Sequence, residues 1–218
     1  MPKADFNPKR YCFHLLLTAA GGWMDAYSYT VRGQVFATLQ TGNLALMTMG
    51  LARMDLAGAM QYAIPIGLYL LGIIVSLHIM HKYSCNATWE RRILLLEAVV
   101  FLLVGFLPLT LPNVLVNGLI SFAAALQLSG FRTMGNQFPF SSVFCTVNMR
   151  SCAESFYYGI VNREKASIAK GCMYLGILLA FCGGICLGLL GARLLNQYAV
   201  WGIDLILLFC LFLNQNGK

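Results

Sequence analysis

Apolar runs alternate with short polar interruptions along almost the whole chain. Six runs, at about residues 11–31, 58–81, 92–111, 113–131, 168–192 and 198–214, are long enough at about 1.5 Å per residue to cross about 30 Å of hydrocarbon. They predict six transmembrane helices. Two further segments, at about 35–52 and 139–160, are interrupted by Gln, Thr, Asn, Ser, Pro139 and Glu154. The first carries Thr41-Gly42-Asn43 inside VFATLQTGNLALMTMGLA, and the second carries Thr146-Val147-Asn148. Unsatisfied polar groups in hydrocarbon cost several kcal/mol each, so segments of this kind line something other than lipid. They read as broken or re-entrant helices, with the triplets at the breaks.

Composition agrees with the pattern. Of 218 residues, 59% are hydrophobic and 11% charged, and the mean hydropathy is +0.70, whereas soluble domains carry about one quarter charged residues. The expectation is an all-α integral membrane protein forming a single membrane domain, 1–218, in a lipid bilayer. The net charge of +7 comes from basic residues placed singly or in pairs between apolar runs, which encodes topology and argues against nucleic acid as a partner. The eight cysteines form no C-x-x-C pair, and most lie in apolar runs, where a thiol acts as a small hydrophobe. No metal site and no cofactor is predicted. Neither H-E-x-x-H nor G-x-S-x-G occurs, so no catalytic residues are assigned.

The basic residues also fix an orientation. If all eight segments crossed, Lys82, Arg91 and Arg92 would face outside, against the positive-inside rule. If the two polar segments enter and leave on one side, Lys9-Arg10, Lys82 to Arg92 and Arg163 to Lys170 all become cytoplasmic, leaving Arg32, Arg53 and Arg193 outside. Six spans plus two re-entrant segments is therefore the preferred arrangement, with both termini cytoplasmic. The run from Tyr11 to Val31 is too long for a signal h-region and is expected to stay as a helix.

The second half resembles the first. AAGGWMDAYSY followed by TGN aligns with FAAALQLSGFR followed by TVN, and LLLEAVVFLL aligns with WGIDLILLFC. Asp25 then pairs with Gln127, Asn43 with Asn148, and Glu97 with Asp204, at separations of about 102 to 107 residues, the signature of an internal repeat. Repeat 1 spans about 11–111 and repeat 2 about 113–214. Each half holds three spans, an odd number, so the two repeats are inverted. Inverted repeats place broken helices opposite one another near the bilayer midplane, where helix termini offer free backbone groups to a solute.

Ala20-Gly21-Gly22-Trp23-Met24-Asp25-Ala26 and Thr41-Gly42-Asn43 resemble the A-G-x-x-D-A and T-G-N elements of the YoaK family of bacterial membrane proteins. The first element here has one extra Gly. In the second half Gln127 is followed by Leu128-Ser129, and Val147 stands where that family has Gly. The resemblance covers nearly the whole chain. It implies a multi-pass protein of the bacterial inner membrane and no particular activity.

The candidate solute or ion pathway consists of Asp25, Thr41, Gly42, Asn43, Gln127, Thr146, Asn148 and Asp204. A carboxyl within a span costs about 2.5 to 3.5 kcal/mol on insertion scales, so Asp25 faces protein or water. It serves either as a coupling or solute-binding group or as a cap for the neighbouring broken helix, accepting from backbone N–H groups or a Thr hydroxyl. The Asn amides offer donors and an acceptor to a solute, or else bond to each other or to freed carbonyls. Gly42 lets the backbone open without a Cβ clash. Glu97 is expected to reach the basic Arg91-Arg92 end of its helix, and Asp204 has no obvious local partner. A small-solute transporter or channel is the leading reading, and a non-transporting scaffold or assembly subunit is the alternative. A chain this small is also a candidate homo-oligomer.

Overall fold

The computed structural model describes residues 7–83, 88–134, 138–139 and 145–215. Eight α-helices account for nearly all of them: α1 (Pro8–Val31), α2 (Gln40–Ala52), α3 (Leu56–Lys82), α4 (Trp89–Phe106), α5 (Asn113–Gly130), α6 (Cys145–Val161), α7 (Lys165–Leu195) and α8 (Trp201–Gln215). A 3-10 turn, Asn196–Val200, joins α7 to α8. Between α5 and α6 two short strands, β1 (Thr133–Met134) and β2 (Phe138–Pro139), pair antiparallel.

Local chemistry sets the helix ends. Pro8 sits at the start of α1, where a missing N–H is harmless, and the Asn7 side chain accepts from Lys9 N (3.0 Å) and Arg10 N (3.2 Å). Asp55 caps α3 by accepting from Gly58 N at 2.8 Å. The apolar run ending at residue 111 predicts a longer α4 than is found. The helix stops at Phe106, and Leu107 is extended at ψ 122°, because Pro108 disfavours helical geometry in the residue before it and supplies no N–H.

Three described stretches are long and apolar enough to cross a membrane: Leu56–Lys82, Asn113–Gly130, and Lys165–Asn214, which contains α7 and α8. Their outer faces expose large aliphatic side chains, with Ile74 63%, Leu179 63% and Leu205 71% exposed, an apolar surface suited to lipid and costly in water. α1 and α4 are more polar, since α1 buries His14, Thr18 and Asp25, while α4 carries Glu90, Arg91, Arg92 and Glu97. The two weak segments form the short helices. α2 has 13 residues and is about 20 Å long, too short to cross alone. The stretch before it, expected to be helical from residue 35, is a non-helical connection. Residues 140–144, at the head of the second weak segment, lie outside the described residues.

Packing follows one scheme in both halves. α1 lies along α7 as α5 lies along α3; α2 lies on α3 as α6 lies on α7; α4 touches α5 as α8 touches α1. Exchanging α1 with α5, α2 with α6, α3 with α7 and α4 with α8 turns each of these contacts into another of the set. The α1–α7 crossing is close: a Cβ at Gly184 would strike the Ala19 carbonyl oxygen, and one at Gly22 the Phe181 carbonyl oxygen. Small residues at such crossings let backbones approach and dispersion accumulate. The core lies among α1, α4, α5 and α8, with Leu17, Met24, Ile93, Phe101, Ile120 and Leu207 all fully buried. Near the N-terminal ends of α1 and α4, Arg10 forms a two-point ion pair with Glu90, one bond at 2.9 Å, tying the two helices together.

Candidate functional site

The chain leaves α1 at Arg32 and reverses at Gly33, whose φ of +93° an L side chain would strain. It then runs back beside α1. The Thr38 N–H donates to Asp25 Oδ1 at 3.2 Å, and its hydroxyl bridges both carboxyl oxygens at 2.8 and 2.7 Å. One turn along α1, Ser28 Oγ accepts from Ala37 N at 3.2 Å. Because Asp25 lies six residues before the end of α1, the connection re-enters by about 9 Å before α2 begins. Asp25 is only 2% exposed. Its donors are a backbone N–H and a hydroxyl of Thr38, which precedes the Leu39 N-cap, so these bonds cap the connection rather than α2 itself.

Helix α5 closes the other side of the connection. Asn117 and Ser121, four residues apart and so on one face, donate to Arg32 O (2.8 Å) and Ala37 O (2.6 Å). Gln40 Nε2 donates to Ala37 O at 2.7 Å and to Ser121 Oγ at 3.3 Å. Backbone carbonyls that a helix would satisfy internally are thus met by side chains of α5 and of the segment itself.

Thr41-Gly42-Asn43 sits in the first turn of α2 rather than at a break within a longer helix, which corrects the expectation there; Thr146-Val147-Asn148 lies on α6 just after residues 140–144, which are outside the described residues. Thr41 and Gly42 face outward and Asn43 is buried; Thr146 and Val147 face outward and Asn148 is buried. Asn43 Nδ2 donates to Phe36 O (3.2 Å) and Gln40 Oε1 (3.3 Å), so this amide satisfies a carbonyl of the connection. A Cβ at Gly42 would meet nothing within 4 Å. Gly42 is therefore not needed to open the backbone, and Val147 fits the matching outward position without distorting α6. The remaining predicted residues lie apart. Gln127 Nε2 donates to Leu17 O at 2.9 Å, linking α5 to α1, while Asp204 stands on α8 with no hydrogen-bond partner on its carboxyl.

The connection that leads into α2 is thus built on one buried carboxyl, with Cys145, the first residue of α6, only within electrostatic reach of it. Thr38, Ser121, Asn117 and Gln40 complete this seam, and the sequence reading did not select them. The α5 pair was detectable in principle, as two polar residues at i, i+4 in an apolar helix.

One expectation about a charged residue fails, and another residue takes an unforeseen role. Arg32 is fully buried; its guanidinium donates to Leu107 O (2.8 Å), Pro108 O (3.3 Å) and Tyr27 Oη (3.2 Å). It caps the carbonyl end of α4, where a cation is favourable. Glu97 does not reach Arg91-Arg92: its carboxyl is fully buried without a hydrogen-bond partner, and Arg92 lies 3.7 Å over the Tyr83 ring. Two cavities of about 310 Å³ each open near the α1 terminus, one lined by Arg32, Gly33, Gln61, Asn113 and Asn117, the other by Thr30, Arg193 and Asn196. The triplet residues line neither cavity.

A family model described as a protein of unknown function (DUF1275) matches residues 13–213, and the chain belongs to that family. Neither a curated protein nor a solved structure matches it.

Proposed function

We propose that this DUF1275 protein is a small-solute transporter or channel of the bacterial inner membrane. The motif resemblance to the YoaK family is compatible with that membership. In this reading six helices cross the bilayer, both termini are cytoplasmic, and residues 11–111 and 113–214 form two inverted repeats. The exchange symmetry of the helix contacts and the distribution of basic residues support it.

The observation that carries the proposal is the connection into α2, which runs back beside α1 and is fastened to buried Asp25 through Thr38, so that α2 begins inside the protein. Short helices whose N-termini lie inside a membrane protein present unpaired N–H groups and the positive end of the helix dipole, as in the discontinuous helices of known transporters. Asn43 and Asn148, both buried, are the solute-facing amides, with Asp25 holding the geometry. A specific observation favours the alternative scaffold reading: the donors on Asp25 and the Nδ2 of Asn43 are already engaged within the protein. On that reading the polar seam only fixes the fold.

Uptake into proteoliposomes, screened over amino acids, organic acids, sugars and ions, separates the two. Transport requires flux for at least one class, lost in Asn43→Ala and Asp25→Asn while both variants still insert. No flux for any class, with both positions tolerant of substitution, would establish the scaffold instead.

A further inference from the structure

The α4–α8 contact brings together the acidic positions that the internal alignment pairs, Glu97 and Asp204. Trp201 at the head of α8 donates from Nε1 to Leu102 O at 3.3 Å, and its ring meets Phe106 edge-on. Asp204 is three residues along α8 from that anchor and Glu97 five residues back along α4. With the helices antiparallel, the two positions differ by only about 3 Å in height. Glu97 lies within electrostatic reach of Asp204. Glu97 is fully buried, and among the described residues none of the four carboxyl oxygens has a hydrogen-bond partner.

Among the described residues, the groups around the pair leave it uncompensated. On α8 the other ionisable side chain facing Glu97 is Cys210, with Cys12 of α1 beyond it. Elsewhere on α1, Asp25 is held by Thr38, Tyr27 bonds Gln197 O, and His14 and Arg10 lie towards the cytoplasmic end. α5 carries no ionisable side chain, and the 3-10 turn carries only Tyr198, stacked beside Trp201. On α3, Tyr69 is within electrostatic reach of Arg132, and Lys82 lies over Tyr83. Two ionised carboxylates here would repel strongly in a low-dielectric interior, and among the described residues no hydrogen bond to either offsets this. A proton held between them removes the repulsion and supplies the missing donor.

We propose that Glu97 and Asp204 form an exchangeable proton-binding pair at the α4–α8 crossing, built from equivalent positions of the two halves. Glu97 is the inner member. Asp204, on a residue that is only partly buried although both its carboxyl oxygens are enclosed, is the outer member of the pair. This places a proton site away from Asp25, whose oxygens are occupied by Thr38, and it does not depend on the transport reading.

The test is covalent. A hydrophobic carbodiimide couples to protonated carboxyls in apolar surroundings, adding across the O–H with no other co-reactant, and peptide mass spectrometry locates the adduct. In wild-type protein in liposomes at neutral pH, an adduct is expected on Glu97 or Asp204, falling several-fold at alkaline pH. Glu97→Gln and Asp204→Asn are each expected to reduce labelling of the remaining carboxyl several-fold. Absence of adduct on both residues in the wild type overturns the proposal. Undiminished labelling of the remaining carboxyl in well-folded single variants overturns the sharing. Should either variant fail to fold, the wild-type adduct and its pH dependence still decide, and since no solute is involved the result is independent of the flux screen.

Discussion

Replacing Thr38 by Val keeps shape and removes one hydroxyl. That hydroxyl bridges both oxygens of a buried carboxyl, at 2.8 and 2.7 Å, leaving only the Thr38 N–H at 3.2 Å once it is gone. Bonds to charged groups contribute about 1.5 to 3 kcal/mol, and a buried acceptor stripped of its donor pays a desolvation cost of similar size. Neutral hydrogen bonds within membrane proteins average only about 0.6 kcal/mol. Thr38→Val is therefore expected to lose about 1.5 to 3 kcal/mol, roughly a tenfold to hundredfold rise in the unfolding constant. Reversible unfolding in mixed lipid and detergent micelles measures it, with Thr38→Ser, which retains the hydroxyl, as control. In a cycle with Asp25→Asn the two changes should couple by more than about 0.5 kcal/mol. A loss no larger than that of a neutral bond, with additive effects, would refute the capping account of the re-entrant connection.

Two other substitutions probe the packing. Gly184→Leu drives a side chain into the Ala19 carbonyl and should abolish stable folding, read as loss of the monodisperse peak on size exclusion. A variant that remains monodisperse and equally stable would show that the crossing can open at little cost. Gln127→Met removes one bond, to Leu17 O, together with a buried Oε1 that has no partner. Since removing an unsatisfied acceptor offsets a lost bond, the change should stay below about 1 kcal/mol, and a larger loss in the same micelle assay would reveal a partner for Oε1.

The fold was legible where apolar runs are continuous. Long helices separate cleanly because hydrocarbon-length segments leave few alternatives, and the predicted boundaries of α3, α5 and α7 fall within a few residues of those found. The end of α4 was misjudged because Leu109, Thr110 and Leu111 continue the apolar run past Pro108, and periodicity outweighed a local steric rule. Thr41-Gly42-Asn43 was assigned to the middle of a broken helix, whereas it stands in the first turn of α2. A helix first turn and a helix break both place polar side chains beside unsatisfied N–H groups, and sequence spacing does not separate them. The inward turn of Arg32 was not legible because the positive-inside rule counts charges and is silent on whether a guanidinium caps carbonyls. Thr38 was passed over because a lone Thr in an apolar run is ordinary; only its proximity to Asp25 gives it a role.

The interlocked contacts of α1 with α7 and of α5 with α3 also set the order in which the protein can be made. When α1 leaves the ribosome, its main neighbour lies roughly 130 residues downstream, which at 5–20 residues per second is on the order of 10 s of synthesis. Throughout that interval His14, Thr18 and Asp25 wait in or beside the insertion machinery with only part of their final surroundings. Neither half can finish folding before the other exists, so a truncated chain is a substrate for membrane quality control rather than a functional half-unit. Synthesis of α7 is the step that commits the chain to its native assembly.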